Sequence, residues 1–226
     1  MAVRTVIFDW GGTLTPWHTI DSGVLWREVC EPHFPAGQAA EVARAILAAE
    51  RAVWESIDRS AESATLAQVF ELARVTATED ILSSYFRAWE PHTLTDPEAA
   101  PLLTELRRRG IRVGVLSNTL WPRSAHERCF VRDRVDGLID GAVYSSEIPW
   151  SKPHPEAFRA VMAAVGEDDP ARCVFVGDRP YDDMHGAKGV GMRAVLMRNS
   201  AVPPYDIVPD AVITRLSELI EHIDRW

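Results

Sequence analysis

The residues most able to do chemistry in this sequence are carboxylates, a hydroxyl and a lysine in four short polar segments. They are Asp9, Ser117, Lys152, and Asp178 with its neighbours Asp182 and Asp183. Such a set suits phosphoryl transfer, because a carboxylate can attack phosphorus while a hydroxyl and a lysine hold the phosphoryl oxygens. Carboxylates gathered at one point repel each other, so a hard cation such as Mg²⁺, which prefers oxygen ligands, is expected among them.

The elements that must bring these residues together are predicted from apolar segments rich in β-branched residues. Strands are predicted at 3–8, 111–116, 173–176 and 192–197, with helices at 97–109, 155–165 and 215–223. Near-continuous apolar strands that alternate with helices indicate a doubly wound, Rossmann-like parallel sheet of the α/β class. Ligands bind at the carboxyl ends of the strands in such sheets. Three of the polar segments follow a predicted strand, and the segment with Lys152 lies in a proline-rich loop.

The segment between the first strand and the helix at 97 has a different character. Residues 16–95 contain no convincing strand, and helical patterns occupy 38–58, 66–73 and 78–89. A segment of this length is too long for a bare loop in a compact domain. We therefore predict an α/β core domain made of residues 1–15 and 96–226, into which residues 16–95 are inserted as a small helical domain.

Composition and charge exclude several classes of function. The chain has 226 residues, 46% hydrophobic residues, 25% charged residues and a formal net charge of −9. The acidic balance argues against binding to nucleic acid or to anionic lipid, and no apolar run approaches the length of a membrane helix. Three widely spaced cysteines fit free thiols in a reducing compartment. The absence of an N-terminal signal pattern adds to the expectation of a cytoplasmic protein.

Four ordered motifs cover nearly the whole chain. They are the segments 8–14 (FDWGGTL), 115–119 (VLSNT), 151–156 (SKPHPE) and 176–183 (VGDRPYDD). In order and spacing they resemble the haloacid dehalogenase (HAD) superfamily of hydrolases, and the helical insert resembles the C1 cap of that family. The resemblance implies a Mg²⁺-dependent hydrolase that acts on a small phosphorylated metabolite through an aspartyl-phosphate.

The same resemblance implies roles for individual residues. Asp9 corresponds to the nucleophile, and Lys152 to a catalytic and phosphate-binding residue. Ser117 and Asn118 correspond to substrate-binding positions. The implied Mg²⁺ ligands are Asp9, the carbonyl of Gly11, Asp178 and Asp183. Asp182 is expected beside the metal site or in solvent, and Arg179 either lines the site or lies on the surface of the loop.

One position departs from the pattern of the family's phosphatases. Those enzymes carry a second Asp in the first motif, which protonates the leaving group and then activates water, whereas this chain has Gly11. Loss of a positioned proton donor typically costs about 10²–10⁴-fold in rate. His18 is a candidate replacement acid, although a surface or hinge histidine is the more common case for such a position.

Four functions are therefore compatible with the sequence. The first is a phosphatase whose leaving group needs little protonation. The second, a phosphonatase-like enzyme, is disfavoured because it needs a lysine from the cap, and residues 16–95 contain none. The third is a 2-haloacid dehalogenase, disfavoured because the Gly-Asp pair at 177–178 is retained. The fourth is a catalytically weak binding protein that kept the fold.

The aromatic residues of the insert and of the motif loops are candidates for the substrate pocket. Trp17, His18, Trp26 and Trp54 belong to the insert, and Trp121 and Trp150 lie beside the second and third motifs. Aromatic residues at helical spacing more often pack in a core. Trp121 and Trp150 are therefore the better candidates for the mouth of the site.

Overall fold

A six-stranded parallel sheet forms the centre of residues 2–226, which are the residues that the computed structural model describes. The strands are β1 (Thr5–Phe8), β2 (Arg112–Ser117), β3 (Gly141–Tyr144), β4 (Cys173–Gly177), β5 (Arg193–Met197) and β6 (Ala211–Ile213). Their order is β3-β2-β1-β4-β5-β6, so the chain winds outward from β1 in both directions. The predicted doubly wound α/β sheet is confirmed. The switch in winding direction at β1 is where such sheets open a crevice for ligands.

Helices cover both faces of this sheet. They are α5 (Ala99–Arg108), α6 (Arg123–Arg132), α7 (Pro155–Ala164), α8 (Gly186–Gly189) and α9 (Leu219–Ile223). Successive side chains of a strand point to opposite faces. Accordingly, Val6 belongs to the same buried cluster as Leu103 of α5, while Ile7 belongs to the cluster of Phe158 of α7. Burial on both sides explains why β1 is apolar until Asp9.

The segment predicted as a helical insert contains four α-helices and, at Glu90–His92, a short 3₁₀ helix in the described chain. The α-helices are α1 (Ser22–Cys30), α2 (Gln38–Ser60), α3 (Leu66–Ala73) and α4 (Glu79–Trp89). Thr65 and Thr78 cap α3 and α4 with their side chains, as the sequence pattern of helix starts favours. The helices pack around buried Trp26, Ile46 and Tyr85.

Backbone hydrogen bonds join the start of α3 and the residues before it to the loops of the sheet. The N–H of Leu66 donates to the carbonyl of Leu120 at 2.7 Å, and the N–H of Ser151 donates to the carbonyl of Ala61 at 2.8 Å. Both partners lie in loops at the carboxyl edge of the sheet. The helices are therefore held above the edge where the candidate site residues lie.

Several elements differ from the sequence predictions. β3, β6 and α6 were not predicted, since the two strands are short and α6 lacks a clear apolar stripe. α1 was also missed, because Gly23 in its first turn is a poor helix former. α5 begins at Ala99 rather than at residue 97, and the last helix begins at Leu219 after a 3₁₀ turn at Leu216–Glu218. No helix within residues 2–226 has the length and apolar character needed to span a bilayer.

Candidate active site

Three aspartates from separate segments meet at the carboxyl edge of the sheet. Asp9 follows β1, Asp178 follows β4, and Asp183 lies in a π-helical turn, Pro180–His185. One carboxylate oxygen of each lies within 4.8 Å of the other two, and all three residues are buried. The parallel order of β1 and β4 as neighbours is what brings Asp9 and Asp178 together, although they are far apart in sequence.

Lys152 enters the same cluster from the loop before α7. Its Nζ donates to Oδ1 of Asp9 and to Oδ1 of Asp183, each at 2.7 Å. The side chain of Lys152 is only 1% exposed. Burial alone would lower the pKa of this lysine, but the charges of Asp183 and Asp9 outweigh it and hold the pKa above its usual range. The lysine is therefore a fixed positive charge between two carboxylates.

Asn118 fixes the backbone that carries this lysine. Its Nδ2 donates to the carbonyl of Lys152 at 2.9 Å, and its Oδ1 accepts from the N–H of Lys152 at 2.8 Å. Ser117, the last residue of β2, is buried beside it and lines the cavity over the aspartates. The predicted residues Ser117, Asn118 and Lys152 thus lie together at the carboxyl ends of neighbouring strands.

Asp178 is held on one side and unpaired on the other. Its Oδ2 accepts from Nδ2 of Asn199 at 2.8 Å, while its Oδ1 is buried and has no hydrogen-bond partner among the described residues. The backbone of Gly12 passes so close that an added Cβ would lie 2.4 Å from Oδ2 of Asp178. Gly12 also has a φ of +81°, so both the close contact and the left-handed backbone favour glycine there.

The charge balance of the cluster fits a bound divalent cation. Burial raises the pKa of Asp9 to about 7 and that of Asp178 to about 6, and the neighbouring carboxylates add to both shifts. The charge of Lys152 opposes both shifts, and the hydrogen bond from Asn199 and the charge of Arg179 oppose that of Asp178, but burial and the neighbouring carboxylates outweigh them. Three buried carboxylates, with the unpaired oxygen on Asp178, form the oxygen-rich donor set that Mg²⁺ prefers. The residues present therefore fit the cation that the sequence predicts.

Gly11 and the pair Arg179 and Asp182 lie at the margin of the cluster. Gly11 is exposed on the cavity wall, and an added Cβ would meet nothing within 4 Å. The backbone N–H of Arg179 donates to Oδ2 of Asp183 at 2.9 Å, whereas its guanidinium lies 3.4 Å from Asp182. Asp182 therefore faces Arg179 and the cavity rather than joining the three central carboxylates.

A cavity of about 710 Å³ separates the cluster from the inserted helices. Aromatic rings make up much of its wall: Trp10, Trp17, Trp54, Tyr85, Trp89 and Trp121, together with His18 and His92. Two of the aromatic candidates lie elsewhere. Trp26 is buried in the core behind Tyr85, and Trp150 stacks on His154 with ring centroids 4.1 Å apart.

A family model decides what kind of protein carries this site. The model of the haloacid dehalogenase-like hydrolases matches residues 3–191. The chain belongs to this family. The resemblance drawn from the four motifs is thereby confirmed.

Individual HAD-like proteins resemble this chain to different extents. A glyceraldehyde 3-phosphate phosphatase of Pyrococcus furiosus is 30% identical over 133 residues, which cover 57% of this chain and 54% of the relative. The match thus spans about half the length of this curated relative. A HAD phosphatase from Thermococcus onnurineus has a TM-score of 0.72 at 21% identity, covering 98% of both chains. An L-2-haloacid dehalogenase from Xanthobacter autotrophicus has a TM-score of 0.67 at 18% identity, also covering 98% of both. At these identities the two structures establish the shared fold alone.

Sequence reasoning missed two features of this HAD-like site. The first is Asn199, which donates a hydrogen bond to Asp178. Its position just after β5, at the carboxyl edge of the sheet, could have indicated a site residue. Behind the cavity wall, Nε2 of His126 lies 3.0 Å from Oγ1 of Thr119, and the hydroxyl of Ser145 donates to the carbonyl of Thr119 at 3.0 Å. The contacts of His126 and Ser145 with Thr119 could not be predicted from the sequence, because His126 lies on α6 and Ser145 follows β3, and neither element was predicted.

Proposed function

We propose that this HAD-like hydrolase removes the phosphoryl group from small phosphate monoesters with the help of Mg²⁺. The observation that carries the proposal is the position of Lys152 Nζ, 2.7 Å from both Asp9 and Asp183, which cluster with Asp178, whose Oδ1 has no hydrogen-bond partner among the described residues. A buried nucleophile, a fixed ammonium and an oxygen-rich cation site are the groups that phosphoryl transfer needs. The phosphatase relative supports the same reaction class.

Asp9 is the nucleophile in this proposal. Its Oδ1 accepts from Lys152, which leaves Oδ2 as the oxygen that attacks phosphorus. The bond between phosphorus and the leaving oxygen breaks, and the phosphoryl group is transferred to Asp9. Water then attacks the phosphorus of the aspartyl-phosphate, which releases phosphate and restores the carboxylate. Lys152 and the hydroxyl of Ser117 bind the phosphoryl oxygens and place phosphorus opposite Oδ2.

A bound Mg²⁺ would be held by Asp9, the carbonyl of Gly11, Asp178 and Asp183. It would supply positive charge to the phosphoryl oxygens and reduce the repulsion between substrate and carboxylates. Asn199 orients Asp178 for this role by holding its Oδ2, which leaves Oδ1 without a hydrogen-bond partner among the described residues.

Gly11 restricts the kind of ester that this site would cleave efficiently. A glycine cannot protonate the departing oxygen, so the leaving group must carry its negative charge unaided in the transition state. Aryl and acyl phosphates depart in this way and alkyl phosphates do so poorly. His18 lines the cavity but is exposed and packs against His92, with ring centroids 5.3 Å apart. Its contacts suit a wall residue better than a proton donor.

The inserted helices complete the proposal as a cap domain of residues 16–95 over a core of residues 1–15 and 96–226. The segment before α1 supplies Trp17 to the cavity wall, and α2 and α4 supply Trp54 and Trp89. The cap then contributes to the choice of leaving group, whereas the phosphoryl end is bound by residues of the core.

The decisive experiment is a substrate panel measured with Mg²⁺ and with a chelator. Aryl phosphates, acyl phosphates, alkyl phosphates and 2-haloacids are compared for release of phosphate or halide. Mg²⁺-dependent phosphate release supports the proposal. Halide release that is independent of metal would assign the protein to the dehalogenases, and no release from any compound would favour a binding protein.

A further inference from the structure

Glu50 of α2 places a carboxylate inside the cavity, away from the three aspartates. The residue lines the cavity and is half-buried. Its Oε2 accepts from Nε1 of Trp26 at 2.9 Å, and Oε1 has no hydrogen-bond partner among residues 2–226. Burial raises the pKa of Glu50, although the bond from Trp26 and the charge of Arg51 oppose the shift. Burying a charged carboxylate costs free energy when one of its oxygens has no hydrogen-bond partner. A positively charged group next to that oxygen would offset the cost.

A series of aromatic contacts separates Glu50 from the phosphoryl end. Trp10, the neighbour of Asp9, lies 5.7 Å from Trp121 between ring centroids, and Nε1 of Trp121 donates to the hydroxyl of Tyr85 at 2.9 Å. Tyr85 in turn stacks on the Trp26 ring that holds Glu50, with centroids 4.7 Å apart. Glu50 is therefore at the far end of the cavity, and the wall leading to it is aromatic.

The remaining charges of α2 at this cavity have the same sign on balance. Glu55 and Asp58 of α2 also line the cavity, but both are exposed, and the charge of Asp58 acts on Asp182 near the three aspartates. Among the described residues of α2, Arg51 is the arginine that lines the cavity. A second anionic group on a substrate would meet the carboxylate of Glu50 there. A cation would meet a carboxylate and the faces of tryptophan and tyrosine rings, which attract organic cations.

We infer that the cavity selects phosphate esters whose leaving group carries a positively charged nitrogen at the end remote from the phosphoryl group. Glu50 pairs with that nitrogen, while Trp121 and Tyr85 contact the body of the leaving group. The inference rests on the proposed phosphatase function for the phosphoryl end. It assigns the other end to Glu50, which is a specificity-determining residue and takes no part in bond breaking.

Three esters with the same type of leaving group and different remote charge test the inference. They are tyramine phosphate, para-propylphenyl phosphate and the phosphate of para-hydroxyphenylpropionate, whose side chains are positive, neutral and negative. All three are aryl esters, so the missing acid at Gly11 affects them alike. We expect kcat/KM for tyramine phosphate to exceed that for the propyl ester by about tenfold, with the propionate slowest. The difference should lie mainly in KM, because the pair is remote from the reacting bond.

Variants on one helix supply the control. Glu50→Gln keeps the shape of the side chain and removes its charge, and it should reduce the ratio between the positive and neutral esters to about one. Glu41→Gln changes an exposed carboxylate outside the cavity on the same helix and should keep the wild-type ratio. Equal kcat/KM for the positive and neutral esters in the wild-type protein would overturn the inference.

Direct binding separates failure of this inference from failure of the proposed function. If none of the three esters releases phosphate, the phosphatase proposal fails, and calorimetry with tyramine and with para-propylphenol then decides the cation site by itself. Binding of tyramine that is stronger than that of para-propylphenol and is lost in Glu50→Gln supports the inference. Equal binding of both compounds, or no binding of tyramine, contradicts it.

Discussion

Asn118 and Lys152 hold each other through two reciprocal hydrogen bonds between the side-chain amide of one and the backbone of the other, at 2.9 and 2.8 Å. The pair joins the carboxyl end of β2 to the loop before α7. Lys152 Nζ donates to Asp9 and Asp183, and the backbone that carries this side chain is held by Asn118. The position of the ammonium group therefore depends on Asn118.

Asn118→Ala should therefore reduce phosphatase activity while the protein still folds. Each lost hydrogen bond is worth about 1 kcal/mol in stability, so the variant should unfold at a moderately lower temperature. We expect kcat/KM to fall at least about tenfold, because Lys152 loses its fixed position. Thr104→Ala, an exposed change on α5, is the control and should retain wild-type activity. A folded Asn118→Ala protein with unchanged kcat/KM would show that the asparagine does not position the lysine.

Gly11→Asp should restore the missing proton donor. An added Cβ at this position meets nothing within 4 Å, so the carboxylate has room at its base. Hydrolysis of alkyl phosphates should rise by about 10²-fold, whereas aryl phosphates should change little. The measurement is the dependence of rate on leaving-group pKa, which should be steep in the wild-type protein and shallower in the variant. Gly11→Ala, which adds no acid, should keep the steep dependence; a shallow dependence in wild type would contradict the account.

Substitutions of Asp178 and Asp182, which both follow β4, should have different effects on the affinity for Mg²⁺. Asp178→Asn removes a charge from the central cluster and should weaken Mg²⁺ binding sharply, by about tenfold or more, in calorimetry. Asp182→Asn changes a carboxylate that faces Arg179 and should alter the affinity far less. Similar losses in both variants, or no loss in Asp178→Asn, would remove the assignment of the metal ligands.

His126 should make stability depend on pH. The ring is fully buried, stacks on Tyr144 and contacts Trp10, and burial together with the charge of Arg123 lowers its pKa to about 3. The unfolded chain, with an ordinary histidine pKa near 6.5, binds a proton below that pH that the folded chain does not.

This histidine's contribution to stability is therefore complete above pH 6.5 and is lost as the pH falls toward 3. Between pH 7 and pH 5 the loss should be about 2 kcal/mol in the free energy of unfolding. His126→Gln removes the titrating group, so denaturant unfolding at the two pH values should differ less than in the wild-type protein. An equal pH dependence in both proteins would contradict this origin.

The strands that could be predicted from the sequence are those whose burial on both faces gives a continuous apolar segment. β1, β2, β4 and β5 are apolar because both faces are covered, and each was predicted. β3 and β6 have four and three residues at the edges of the sheet, too few to show a pattern. α6 carries polar residues on most positions, and its place depends on packing against other elements rather than on its own periodicity.

The candidate site was predictable as a set of residue types at strand ends, whereas its internal contacts were not. Asp9, Lys152 and Asp178 follow from motif and position. The bond from Asn199 to Asp178 and the cavity position of Glu50 depend on how β5 and α2 lie in three dimensions. Glu50 in particular looks like any solvent-facing residue of a long helix until its contact with Trp26 is known.

The account depends most on Asp9 as the covalent nucleophile, and one measurement tests that directly. The wild-type protein is mixed with an aryl phosphate and Mg²⁺, quenched with acid during turnover, digested, and examined by mass spectrometry. We expect a phosphoryl group on the peptide that contains Asp9 in the wild-type protein, and neither the phosphorylated peptide nor turnover in Asp9→Asn. Sustained phosphate release by a folded Asp9→Asn protein, without any phosphorylated peptide in the wild type, would contradict it.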